Sequence, residues 1–146
     1  MYNYDEQMTG FTSPFQLPGW IACAPFEEYL GMVIEEAEAG RAVLSMPFKL
    51  KLAQGVGLMH GGAITSLADT AVAMAIKSIL PEGSDFVTVD LHLKFFAAVR
   101  EGTVRAVARA IPKDERKIVG EAEIFNGETK VAEFSAFFIV KRKGGV

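Results

Sequence analysis

The chain has one cysteine, two histidines and one tryptophan in 146 residues. A single cysteine excludes an internal disulfide, and no ligand-type cluster surrounds Cys23, so it is expected to be an ordinary packing residue. No apolar run is long enough to span a bilayer, because the most apolar stretch is interrupted by Asp69 and Lys77. The first ten residues, MYNYDEQMTG, contain no basic residue and no apolar block. They are not read as a secretory signal, and the cytoplasm is the expected location. Excess positive charge is also missing. The net charge is −3, which argues against nucleic acid as a main partner. No membrane partner and no metal are expected.

What is present suits one globular domain, with 50% hydrophobic and 23% charged residues. The charge is uneven. Residues 1–90 carry four basic and eleven acidic side chains, and residues 91–146 carry eleven basic and seven acidic. A basic second half fits a polyanionic ligand, and equally fits solvated strand faces.

The stretch around which the rest is arranged is 54–80, QGVGLMHGGAITSLADTAVAMAIKSIL. After His60-Gly61-Gly62 there is no Gly or Pro until Pro81. Ala63, Ile64, Leu67, Ala68, Ala71, Val72, Ala75, Ile76 and Ile79 fall on helical spacing, and Ala73 and Met74 widen the stripe. Such a helix is expected to be buried. Asp69 stands against that burial. A lone buried carboxylate is costly unless paired or protonated, so an acid kept there is a candidate for chemistry. The alternative is a structural Asp satisfied by a nearby hydroxyl. Thr65, Ser66, Asp69 and Ala73 share one side of the helix, a narrow stripe that could face a ligand or a second subunit.

At the helix start, the first backbone N–H groups lack intrahelical partners and carry partial positive charge. Gly61 and Gly62 let a ligand approach that backbone. An oxyanion developing at a thioester carbonyl would be stabilised there. Glycine pairs also simply begin helices. Gln54 could hydrogen-bond a carbonyl or a water, or be an ordinary loop residue.

Strands are expected on both sides of the helix. Residues 25–30 suggest a short helix ended by Gly31. Strands follow over 32–39 and 42–48. From 85 onward, Val87, Val89, Leu91, Leu93 and Phe95 alternate with polar residues, which predicts a half-buried strand with its odd positions on the helix. Further strands are expected over 103–111, 117–125 and 129–141, with Asn126-Gly127 as a hairpin signal. One apolar helix against these strands is α+β. The expected organisation is an N-terminal extension over 1–24, the domain over 25–141 and a frayed tail over 142–146. Phe11, Phe15, Leu17, Trp20 and Ile21 are too apolar for a solvated extension.

Gln54, His60-Gly61-Gly62, Leu67-Ala68-Asp69-Thr70-Ala71 and Val87-Thr88-Val89-Asp90-Leu91, in that order, resemble the hotdog-fold thioesterases. The chain is most similar to the phenylacetic-acid-degradation branch of the 4-hydroxybenzoyl-CoA thioesterase superfamily, over about 29–140. The resemblance implies a curved antiparallel sheet wrapped around the helix, and two protomers pairing into one continuous sheet, often again into tetramers. It implies acyl-CoA hydrolysis at the dimer interface, with Asp69 as nucleophile or general base. The Gly61 N–H would then bind the thioester carbonyl. Gln54, His60 and Thr88 would support the site; many relatives have Asn where this chain has Gln54. Coenzyme A would arrive as part of the substrate, with no separate cofactor; Gly62, Arg116 and Lys117 are candidates to contact it. The alternatives are an acyl-CoA-binding module without turnover, which no attached regulatory domain favours, and a hydratase, which would want an Asp/His pair in another setting.

Overall fold

The computed structural model describes residues 2–7 and 15–141. The expected tail over 142–146, and Phe11 of the apolar N-terminal set, lie outside the described residues.

The element order is α1 (Pro25–Leu30), β1 (Val33–Glu38), β2 (Arg41–Pro47), α2 (Gly61–Lys77), β3 (Phe86–Phe95), β4 (Thr103–Pro112), β5 (Lys117–Asn126) and β6 (Thr129–Val140). A 3₁₀ turn over Leu50–Leu52, not expected from the sequence, anchors the loop before α2 by burying Leu52. The strands form one antiparallel sheet in the order β1-β2-β4-β5-β6-β3. The sheet and its central helix are the expected α+β hotdog architecture. The β1–β2 connection is a tight turn in which Ala39 and Gly40 both have positive φ, 51° and 82°, the pairing that matches strand twist. The β5–β6 hairpin forms as expected, but its turn lies one residue later. Asn126 pairs with Thr129, leaving Gly127 at positive φ beside Glu128.

The core lies between α2 and the inner face of the sheet. Leu67, Ala68, Ala71, Val72, Ala75 and Ile76 are fully buried. They meet Ala42, Leu44 and Met46 of β2, Val104, Ala106 and Ala108 of β4, and Ile118, Ala122 and Ile124 of β5. Small residues on both sides bring the helix close to the strands. At Gly120 the approach is closest, because a Cβ there would overlap the Val72 side chain. The helix ends at Lys77 with Ser78 as cap, so Ile79 falls beyond it and is 38% exposed.

One expectation fails in β3. Its odd positions do not all face the helix. A bulge between Thr88 and Asp90 switches the faces. Before it, Phe86 and Thr88 point inward, paired with Val140 and Phe138. After it, Leu91 and Leu93 do so, opposite Ala136 and Phe134. Val87 and Val89 are turned out and exposed. The reason is that a bulge adds one residue to one strand, which shifts the two-residue period of the faces.

Candidate active site

The loop into α2 is shaped by its own hydrogen bonds. The Gln54 N–H donates to the Leu58 carbonyl, and the Gln54 carbonyl accepts from Gly57. The Gln54 side-chain Oε1 accepts from the Val56 N–H at 2.6 Å. That oxygen therefore holds the loop together, and the side-chain NH₂ is what Gln54 can offer a ligand. His60 is held by its N–H on the Leu52 carbonyl at 2.7 Å.

His60 is the N-cap of α2. Its Nδ1 accepts from the Gly62 N–H at 2.7 Å, and its carbonyl accepts from Ala63 and Ile64. The cap needs an unprotonated Nδ1, which puts the neutral ring's proton on Nε2. Within the first turn this leaves one backbone donor, the Gly61 N–H, without a partner among the described residues. The side chain of Phe95 packs beside Gly61, 3.1 Å from where a Cβ there would stand. Thr65 and Ser66 turn their hydroxyls back to the Gly61 and Gly62 carbonyls.

Asp69 lies two turns further along. Thr88 donates its hydroxyl to Asp69 Oδ1 at 3.0 Å, which the β3 bulge makes possible by keeping Thr88 on the inner face. Burial raises the Asp69 pKa above the ordinary carboxylate value, and the Thr88 hydrogen bond opposes that rise. The carboxyl borders a cavity of about 370 Å³ whose walls include Phe26, Ser66, Ala73, Met74 and Lys77. Ser66, Asp69 and Ala73 thus share one opening, as their spacing predicts, while Thr65 does not line it. Lys77 closes the far end. Its Nζ donates to the Trp20 carbonyl at 3.0 Å and sits 4.7 Å from the Trp20 ring centre, while the indole N–H donates to the Lys77 carbonyl at 2.9 Å.

A second cavity, about 360 Å³, opens at the helix start beside His60, Gly62 and Lys51. Lys51 is a basic residue that the sequence reading missed, because only the fold carries the 3₁₀ turn to the helix N-terminus. Phe26 of α1 and Phe95 at the end of β3 are likewise brought to the helix start by the fold. Arg116 and Lys117 line neither cavity. They follow the β4–β5 turn, where both backbone N–H groups donate to Asp114 Oδ1, and Lys117 lies over the Phe137 ring. His92 is exposed beside Asp90. Among the described residues no three His, Cys, Asp or Glu side chains gather as a metal site, and no helix is long and apolar enough to cross a membrane.

Residues 56–133 match the family model of the thioesterase superfamily. The 1,4-dihydroxy-2-naphthoyl-CoA hydrolase of Listeria monocytogenes is 30% identical over 118 residues, 80% of this chain and 95% of that protein. A conserved protein of Pseudomonas aeruginosa superposes with a TM-score of 0.79 at 30% identity, covering 82% of this chain and 95% of that one. A mutant of the phenylacetic acid degradation protein PaaI of Thermus thermophilus superposes with a TM-score of 0.73 at 25% identity, covering 80% and 98%. With its sheet wrapped around α2 and this match across the site, the chain belongs to the thioesterase superfamily, as a PaaI-like thioester hydrolase of the hotdog fold.

Proposed function

We propose that the protein hydrolyses an acyl-CoA thioester in a site completed by a second copy of the chain. The observation that carries this reading is the Gly61 N–H at the start of α2, which has no partner among the described residues. It can donate to the thioester carbonyl oxygen where the helix end adds positive potential, and its hold tightens as that oxygen gains charge. The Gln54 NH₂ is available to orient the carbonyl or the attacking water. The similarity to a CoA-thioester hydrolase supports coenzyme A as the leaving group.

Asp69 follows Gly61 by eight residues, about 12 Å along a helix axis. A carbonyl held at one protomer's Gly61 is out of reach of the same protomer's acid. A second copy can supply it. β3 is an edge strand whose outward Val87 and Val89 are exposed, and pairing it with the same strand of another copy would continue the sheet. Asp69 of one protomer then faces Gln54, His60 and Gly61 of the other, and such dimers pair into tetramers.

The carboxylate must be ionised to act. Either an Asp69 oxygen attacks the carbonyl carbon, expelling the CoA thiolate and leaving an anhydride for water to open, or it takes the proton of an attacking water. An acyl adduct on Asp69 after acid quench, read by mass spectrometry, belongs to the first route alone. Thr88 holds one oxygen and aims the other. Lys51 and, more remotely, Arg116 and Lys117 are the groups offered to the CoA phosphates; Gly62 is not, because its N–H is taken by His60 Nδ1.

Mixing two dead variants tests the shared site. Asp69→Asn removes the acid. Gly61→Pro removes the N–H, at a position where helices accept proline and after a His60 whose φ of −61° and ψ of 133° suit it, and its Cβ makes a tight contact with the movable end of the Phe95 ring. Each alone should lose activity, the second by about 10²–10³. Refolded together in equal amounts, they should recover about one quarter of parental activity, because half the dimers hold one intact site. No recovery would overturn the two-copy site.

A further inference from the structure

Ser66 stands three residues before Asp69 on α2 and borders the same opening. It also borders the cavity at the start of α2, so water can reach it from there while an acyl group fills the space over Asp69. Side chains at this spacing have Cβ atoms about 5–6 Å apart, which leaves room for one water between a hydroxyl and a carboxylate. Two other polar groups on the wall are engaged elsewhere. Lys77 Nζ donates to the Trp20 carbonyl, and Glu27 Oε1 accepts from the Ala24 N–H. Thr65, the neighbouring hydroxyl, borders neither cavity.

Hydrogen-bond polarity decides what such a water does. The Ser66 hydroxyl gives its proton to the Gly62 carbonyl at 2.7 Å, so Oγ has only lone pairs left for a ligand. Asp69 Oδ1 accepts from Thr88, and Oδ2 has no partner among the described residues. A water between them therefore meets two acceptors. It donates one O–H to Asp69 Oδ2 and the other to Ser66 Oγ, and its own lone pairs face away from both.

We propose that Ser66 orients the attacking water and that Asp69 acts as its general base. This rests on Asp69 and Gly61 as the hydrolytic groups. As the water oxygen bonds to the thioester carbon, one proton passes to Asp69 Oδ2. The other hydrogen stays on that oxygen, held by Ser66 Oγ. The carbonyl electrons move onto the oxygen held at Gly61 of the other copy. When they return, the C–S bond breaks, and the CoA thiolate takes the proton from Asp69 to leave free acid and CoA.

Methanol tests this arrangement. It has one O–H, so its methyl group would have to lie against Ser66 Oγ in place of the second hydrogen. In a water–methanol mixture, with a panel of acyl-CoA thioesters from acetyl to decanoyl and benzoyl, the parent should form free acid with little methyl ester. Ser66→Ala removes the acceptor and makes room for the methyl group. It should lower kcat with KM little changed, and raise the ratio of ester to acid by about fivefold, the worth of one neutral hydrogen bond. Ser66→Thr should keep the parental ratio, because a helical threonine can return its hydroxyl to the same carbonyl, as Thr65 does to its own at 2.8 Å. A merely structural serine would change the rate and leave the ratio alone. An unmoved ratio in Ser66→Ala, a threonine variant that behaves like the alanine one, or an acyl adduct on Asp69 would overturn the proposal with hydrolysis by the parent still standing. A parent that hydrolyses no member of the panel would overturn the hydrolytic reading itself, and the role of Ser66 with it.

Discussion

Burial and Thr88 pull the Asp69 carboxyl in opposite directions. Burial favours the neutral acid, and the Thr88 hydroxyl at 3.0 Å favours the carboxylate. In the proposed mechanism the carboxylate is the active form, so kcat/KM should rise with pH through a pKa above the ordinary carboxylate value of 3.8. Thr88→Val removes the hydroxyl and keeps the branched shape. The rising limb of its pH profile should move to higher pH, and an unmoved limb would remove Thr88 from the mechanism. Stability carries the opposite sign. A folded pKa raised above the unfolded one means that stability is lost as pH rises through it. Asp69→Asn should therefore melt above the parent at neutral pH, by about 2–4 °C for each kcal/mol recovered. Asp69 was legible because a carboxylate inside an apolar helix is conspicuous. The open Gly61 donor was not, since it depends on the His60 ring capping Gly62 instead, a side-chain choice that spacing does not reveal.

Through 87–95 the polar and apolar residues alternate without a break, and that regularity hides a change of face. One inserted residue lets Thr88 serve the acid while Leu91 and Leu93 meet the inner face further along. Helix and strand boundaries were otherwise legible to within a few residues, because apolar periodicity and Gly or Pro punctuation agree along the chain. The helix–sheet contact offers a sharper check. Gly120→Ala would drive a methyl group into Val72 and should cost about 1–3 kcal/mol. Val72→Ala in the same chain should return much of that loss. Urea unfolding of the two single variants and the pair measures the coupling. Additive losses would mean that the helix does not press on β5 at this point.

Beyond one chain, the exposed edge strand and the proposed division of the site between two copies make the same demand. Val89 is 53% exposed on β3, with no role in the core of the single chain. Val89→Lys should leave the fold of the protomer intact, since lysine is well tolerated on an edge. Sedimentation should show smaller particles, and hydrolysis should fall together with assembly. A variant that is monomeric and fully active would separate the two. The lining of the site was the least legible part of the molecule. Phe26, Lys51 and Phe95 come from three separate segments, each ordinary in its own stretch of sequence.

The clasp between Trp20 and Lys77 has a practical consequence. Trp20 is the only tryptophan in the chain, so nearly all indole emission comes from one place. That place is where the segment before α1 is fastened to the end of α2, beside the opening that leads to Asp69. An ammonium group over the ring and a hydrogen bond from its N–H make the emission sensitive to any loosening there. The protein therefore carries its own optical gauge. Release of the outer segment would shift the emission while the circular dichroism of the sheet stays constant. A ligand filling the cavity would alter the same signal with no label attached.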